Sequence, residues 1–273
     1  MVGGMTRKPK LGQNFLVDDG AGQAIADSLG PLDGCTVIEI GPGHGAITQI
    51  LAGRCRRLIA IEIDRALAAE LRFRFREQAQ VEIVEADVLD VDLEALLRPG
   101  ETAEVVGNLP YYITSEILMR LLAAGERGQL IRAVLMLQRE VADRLAAAPG
   151  VRAYGLLSAT AQMSARIETL FTLPPTAFSP QPEVFSTVLR LEFASRFHAL
   201  GVDPKGFDRF LRSCFAQKRK TLANNLRAAG YPANELQAAW PQDIPALARA
   251  ESIPLEPMAM LYRALNAAGL GSV

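Results

Sequence analysis

The chain has 273 residues, 49% of them hydrophobic and 22% charged, and its 29 basic and 30 acidic side chains leave a net charge of −1. This composition excludes a wholly disordered chain, and the length suits one sizeable domain plus a smaller one. Near-neutrality means that a nucleic-acid partner must be met by a local basic patch. Cys35, Cys55 and Cys214 are scattered, with no C-x-x-C spacing, which argues against a disulfide framework or a thiolate zinc site. The two histidines, His44 and His198, are too few for a His-built metal centre, so no metal is expected. No stretch approaches the ~18 apolar residues of a membrane span, and the N-terminus lacks a signal-peptide core. A cytoplasmic protein is expected.

From residue 36 the pattern turns regular. "TVIEIG" (36–41), "RLIAIEID" (57–64), "VEIVEAD" (81–87), "AEVVGN" (103–108) and "RAVLMLQ" (132–138) are short, mostly β-branched runs. Their near-continuous hydrophobicity suits strands covered on both faces. Between them, "AITQILAGR", "ALAAELRFRFREQ" and "TSEILMRLLAAG" have helical spacing, the last opened by a Thr-Ser-Glu capping signal. "YGLLSATAQMSA" also reads as helix. "RIETLFTLP" and "STVLRLEF" then read as an antiparallel pair at the sheet edge, joined by a Pro-rich loop too short for a crossover helix. The alternation predicts an α/β fold with a doubly wound, mostly parallel sheet. After "ASRFHALGVDPKG" (194–206) everything reads helical, with "FDRFLRSCFAQKRKTLANNL" as one amphipathic helix. A boundary is therefore expected near 195, with residues 1–194 as one domain and 195–273 as a small helical one.

"EIGPGHGAI" (39–47) joins the first strand to the first helix. Its glycines permit a tight turn and a close backbone approach to a ligand. Glu62 ends the second strand, placed to take both hydroxyls of a ribose, and Asp87 ends the third at the same carboxyl edge. The spacing is G-x-G-x-G, preceded by Glu39, and not the dinucleotide fingerprint G-x-G-x-x-G. Carboxylates this close disfavour a pyrophosphate and favour a cation. S-adenosylmethionine, with a ribose, an amino group and a sulfonium, fits better than NAD.

"GNLPYYIT" (107–114) closes the fourth strand at that edge. A turn explains Asn108 and Pro110 but not an aromatic directly behind the proline. An adenine amine explains all of them. Its lone pair is delocalised into the ring, and Asn108 with the Leu109 carbonyl can each accept one of its N–H bonds. Pro110 fixes the turn, and Tyr111 offers a π-face to an extruded base.

Taken together, "LGQNFLVD" (11–18), "EIGPGHGAIT", "EIDR", "EADVL", "GNLPYYIT", "YGLLS" and "FSPQPEVFS" resemble the ribosomal RNA adenine dimethylases, most closely their bacterial small-subunit type. The resemblance covers nearly the whole chain. It implies a Rossmann-like class I methyltransferase that dimethylates two adjacent adenines in a 3′-end loop of small-subunit rRNA during ribosome biogenesis, using S-adenosylmethionine. It implies Asn14, Leu16, Glu39, Gly41, Gly43, Glu62, Asp87 and Asn108 at the donor, Asn108 through Tyr111 as the catalytic quartet, and Phe178 closing over the target base. Two departures stand out. Tyr112 replaces the usual Asn, and Gln181 and Glu183 stand where Pro and Lys are usual, which puts in doubt a basic RNA contact at 183.

"TRKPK" (6–10) and "QKRKTLANNLR" (217–227) are the cationic clusters. A solvated helix face is the commoner meaning of such a run. The resemblance turns Arg212, Lys218, Arg219 and Lys220 into expected contacts to rRNA in the small subunit or its precursor, made by a monomer with no membrane partner. Two alternatives stay open. One is a large-subunit adenine methylase of the erythromycin-resistance type, against which the Leu of Asn-Leu-Pro-Tyr and the proline loop count. The other is chiefly an RNA-binding assembly factor.

Overall fold

The computed structural model of the protein describes residues 13–269. In chain order the elements are β1 (Phe15–Leu16), α1 (Asp19–Asp27), β2 (Thr36–Ile40), α2 (Ala46–Leu51), β3 (Arg57–Glu62), α3 (Arg65–Arg74), β4 (Val81–Glu85), β5 (Ala103–Asn108), α4 (Thr114–Glu126) and β6 (Leu130–Gln138). There follow α5 (Arg139–Ala146), α6 (Leu156–Ser164), β7 (Ala165–Leu173), β8 (Phe178–Ser179), β9 (Ser186–Phe193), α7 (Phe197–Leu200), α8 (Pro204–Cys214), α9 (Leu222–Ala228), α10 (Ala233–Ala239) and α11 (Leu255–Ala267). The described residues divide into two compact units, one of residues 13–142 and 167–193, the other of 143–166 and 194–269.

The first unit is built on a seven-stranded sheet in the order β4-β3-β2-β5-β6-β9-β7. The five apolar runs form its parallel part, in register from Thr36↔Arg57 and Thr36↔Ala103 outward. β9 runs antiparallel to β6, and β7 takes the edge beside it. All five residues of β2 are buried, as a strand covered on both faces requires. Ile25, Leu29, Leu51, Leu71 and Phe75 from the helices pack with Val37, Leu58 and Val106 from the sheet. The expected Thr-Ser-Glu cap does not form. Ile113 holds the N-cap position with no side-chain bond, and Thr114 Oγ1 instead donates back to the Pro110 carbonyl at 2.8 Å. A pair the sequence did not suggest, β1 with β8, is antiparallel through Phe15↔Ser179 and Leu16↔Phe178.

The second unit is helical. Its core gathers Tyr154, Met163, Phe207, Phe210, Leu211, Cys214, Tyr231 and Tyr262. Phe207 meets Tyr262 edge-on at 5.4 Å, and Phe210 meets Tyr231 at 6.3 Å. Residues 143–166 lie in this unit and not in the sheet unit, because Tyr154, Ala159 and Met163 bury their side chains in its core. The expected single helix over 207–226 is two helices, α8 and α9. The break has a local cause: Asn225 Nδ2 donates to the carbonyls of Cys214 (2.8 Å) and Gln217 (3.1 Å), while Thr221 caps α9 by accepting from Asn224 N at 3.3 Å. Among the described residues no helix is long and apolar enough to cross a membrane.

Asp203 caps α8 by accepting from Gly206 N at 2.6 Å and also accepts from the Tyr262 hydroxyl. Those bonds, Tyr262's foremost, hold its carboxyl below the ordinary 3.8. A lowered carboxylate pKa adds stability above its unfolded value, and that stability is lost as pH falls through the folded value. Asp203→Ala should therefore cost about 1–2 kcal/mol at neutral pH and progressively less as pH falls below the ordinary 3.8, by chemical denaturation. An equal cost across that range would overturn the assignment.

Candidate donor and acceptor site

The site grows from the carboxyl ends of β2, β3 and β5. Past Ile40 the chain turns through Pro42-Gly43-His44 into α2. Gly43 sits at φ 58°, and a Cβ there would lie 2.7 Å from the Phe15 ring, so neither the backbone angle nor the space admits a side chain. The same ring stands 4.6 Å from the exposed His44.

Two buried carboxylates face this loop. Glu62 is 1% exposed; its Oε2 accepts from Gly43 N at 3.1 Å and its Oε1 from Asp64 N at 2.8 Å. Glu39 is 2% exposed and accepts from Thr48 Oγ1 at 2.7 Å. Burial pushes both carboxyls up, Glu39 to about 7, with the Glu62 charge adding to the effect there.

Beyond Asn108 the backbone leaves β5 with Leu109 N donating to Met136 O at 3.1 Å. The Pro110 carbonyl is taken by Ile113 N and Thr114 Oγ1, whereas no described group donates to the Leu109 carbonyl. Tyr111 is half-buried, and its hydroxyl lies 3.2 Å from Ser186 Oγ. Asn108 Nδ2 donates to the Asn14 carbonyl at 2.8 Å.

Two small cavities mark the space between these groups. One, of about 50 Å³, is lined by Asn14, Glu62, Leu109, Pro110 and Tyr111 among others. The second, of about 30 Å³, is lined by Leu16, Glu39 and His44 among others. Gly41, Gly43, Asn108 and Phe15 line both, so Phe15 stands between two spaces that each hold no more than a few waters. Their polar side chains are carboxylates, amides and the Tyr111 hydroxyl, with His44 as the one ionisable nitrogen among the lining residues. That donor set suits a cationic, ribose-bearing ligand and not a pyrophosphate.

The structure thus brings together Asn14, Leu16, Glu39, Gly41, Gly43, Glu62 and Asn108 through Tyr111. Two expected residues line neither of these two cavities. Asp87 is half-buried just past β4, accepts from Leu89 N at 2.9 Å and lines neither cavity. Phe178 is 2% exposed in the apolar core and pairs with Leu16. Phe15 and Thr48 were not singled out from the sequence. Phe15 lies inside a quoted motif but is marked only by the β1–β8 pairing, and Thr48 only by the hydrogen bond it donates to Glu39 from α2.

In the second unit, Lys218, Arg219 and Lys220 are exposed on the turn between α8 and α9. Lys218 joins Arg152 and Arg249 around a cavity of about 450 Å³ with exposed Val151 and Leu247 on its wall. Arg212 is already paired with Asp208 at 2.8 Å. The other basic cluster, at 6–10, lies outside the described residues.

Residues 4–267 match the family described as ribosomal RNA adenine dimethylase. Ribosomal RNA small subunit methyltransferase A of Acidobacterium capsulatum is 60% identical over 260 residues, covering 95% of this chain and 91% of that protein. Among solved structures, a dimethyladenosine transferase from Plasmodium falciparum superposes with a TM-score of 0.78 at 23% identity, over 93% of this chain and 98% of that one. The 23S rRNA methyltransferase ErmE superposes with a TM-score of 0.73 at 26% identity, over 93% of this chain and 100% of that one. A family match running from residue 4 to residue 267 takes in both the glycine loop and the Asn108 turn, and the chain belongs to the ribosomal RNA adenine dimethylases.

Proposed function

We propose that this protein methylates the N6 amines of two adjacent adenines in a 3′-end loop of small-subunit rRNA, giving N6,N6-dimethyladenosine during ribosome biogenesis. The observation that carries the reading is the pair of carbonyl oxygens left without a donor among the described residues, Asn108 Oδ1 and Leu109 O, at a cavity walled by Tyr111 and the glycine loop. The methyl donor is S-adenosylmethionine, which supplies an electrophilic methyl group on a sulfonium.

Glu62 is placed to take the ribose hydroxyls on the lone pairs its two backbone partners leave over, and Glu39 to compensate the donor's positive charge. On the acceptor side, Asn108 Oδ1 and the Leu109 carbonyl accept the two N–H bonds of the amine and turn its lone pair out of conjugation. Tyr111, braced through Ser186, stacks the base, an interaction worth ~1–3 kcal/mol. No side chain acts as a strong base, since the product sheds its proton after transfer. Positioning of the two reactants supplies the larger share, about 7–11 kcal/mol of the barrier. Lys218, Arg219 and Lys220, with Arg152 and Arg249 beside Lys218, supply phosphate contacts that place the enzyme without reading sequence. The small subunit is favoured over the large one by the 60% identity to a small-subunit methyltransferase against 26% to a 23S enzyme. A monomer acting in the cytoplasm completes the reading.

The direct test is methyl transfer from labelled donor to undermethylated subunits, small and large in parallel, followed by nucleoside analysis. Dimethyladenosine should appear in the small subunit alone, and Asn108→Ala should lower the rate by about two to three orders of magnitude with subunit binding retained. Label only in the large subunit, or undiminished turnover of the variant, would sink the assignment.

Glu39 gives a second test. A cation bound beside a carboxyl titrating at about 7 pulls its proton off, so donor affinity should rise from pH 6 to about pH 7.5, with proton release. Glu39→Gln should bind more weakly and with a flat profile. Calorimetry in buffers of different ionisation heat reads both, and equal pH dependence in the two proteins would refute the role.

Replacing Lys218, Arg219 and Lys220 together by Ala should weaken subunit binding and lower its salt slope by about two. An unaltered slope would return that turn to an ordinary solvated surface.

A further inference from the structure

Asn108 can serve the acceptor amine only one way round. A side-chain amide ends in a donor on one arm and an acceptor on the other, and the amine needs the acceptor. With the arms exchanged, Asn108 would point N–H bonds at N–H bonds. Something must fix the choice.

We infer that the backbone carbonyl of Asn14 is the positioning group that sets the Asn108 amide, with Nδ2 held to the residue just before β1 and Oδ1 turned to the target amine. A carbonyl accepts and cannot donate, so at 2.8 Å from Asn108 it admits only the Nδ2–H arm. The exchanged amide would set oxygen against oxygen. Because the amide is planar, securing one arm aims the other, and no described residue donates to Oδ1.

The carbonyl is itself held in place. β1 pairs with β8 through Phe15↔Ser179 and Leu16↔Phe178, and Val17 N donates to Ala177 O at 2.9 Å. On its other side the Phe15 ring rests on Gly43 and stands 4.6 Å from His44. Phe178, which lines neither cavity, thereby acts in the core as the register partner of the strand that Asn14 immediately precedes. β1 is thus a wall of the donor space and the orienting element for the acceptor.

The inference rests on the reading of Asn108 as the group that accepts from the amine, and the test separates the two. Single-turnover methyl transfer to undermethylated small subunits is measured at saturating donor for the full-length chain, Asn108→Ala and Asn108→Asp, between about pH 5.5 and pH 8. If Asn108→Ala is as fast as the parent, the reading fails before the inference is reached. If accepting is all that Asn108 does, Asn108→Asp presents a carboxylate at neutral pH and should stay within a few-fold of the parent. If the bond to Asn14 is required, the carboxylate cannot donate, and the rate at neutral pH should fall to that of the Ala variant. Protonation then restores one donor and one acceptor, so the Asp variant should gain at least tenfold on the Ala variant as pH falls toward 5.5. Parent-like activity at neutral pH, or Ala-like activity at every pH, overturns the inference.

Should Asn108→Asp fail to fold, Phe15→Ala provides the second arm. It loosens β1 without touching Asn108, and its rate loss at saturating donor should vanish in an Asn108→Ala background. Additive losses would overturn the inference equally.

Discussion

The site depends on β2 and β5 lying side by side as parallel neighbours. Strand order runs outward in opposite directions from this pair, to β3 and β4 on one side and to β6 on the other. At such a reversal the loops leaving two adjacent strands part to opposite faces and open a crevice. Gly107 makes the approach possible. It pairs with Ile40, and a Cβ there would lie 2.9 Å from the Ile40 carbonyl and 3.1 Å from its Cβ. A larger residue would push the strands apart and carry the glycine loop away from Asn108. Donor and acceptor groups meet because the backbone, not a side chain, closes that distance.

Burying two carboxylates at this edge is costly without a cationic partner. Part of the cost is met within the protein, since Glu62 accepts two backbone N–H bonds and Glu39 a hydroxyl. The remainder appears as raised carboxyl pKa values. The Gly43 N–H, which in a dinucleotide loop would face a phosphate, is engaged by Glu62. A glycine turn of familiar outline therefore carries the opposite preference in charge. The ligand that relieves the site is a cation.

What was legible in the sequence follows from which interactions are local. β5 spans the run read as a strand, and Glu62 and Asn108 fall at strand ends, because β-branched runs and glycine punctuation act over a few residues. The mostly parallel sheet with its edge pair, the methyl-donor preference and the family were legible for the same reason. The β1–β8 pairing was not. It joins two-residue strands more than 160 residues apart, too short for any periodicity. The break between α8 and α9 was hidden because the apolar spacing carries straight through it, while the cause is one buried amide, Asn225, bonding two carbonyls. Residues 143–166 were assigned by sequence proximity to the sheet. Their place in the helical unit depends on where Tyr154 and Met163 find a core.

The charges of the two ligands set the logic of the whole chain. On the proposed reading, a donor pocket lined with Glu39 and Glu62 disfavours phosphate, so a nucleic-acid strand gains nothing by following its own backbone into it. A neutral base is then the part of the strand suited to enter, and it leaves its stack to do so. In the reading proposed here, Tyr111 offers the extruded base a new stacking face, and the two carbonyl oxygens favour a group that brings N–H bonds. A ring keto oxygen would meet those carbonyls with lone pairs of its own. On the proposed reading, attraction for phosphates comes from elsewhere, and among the described residues the exposed turn Lys218 to Lys220, with Arg152 and Arg249 close to Lys218, is placed to supply it.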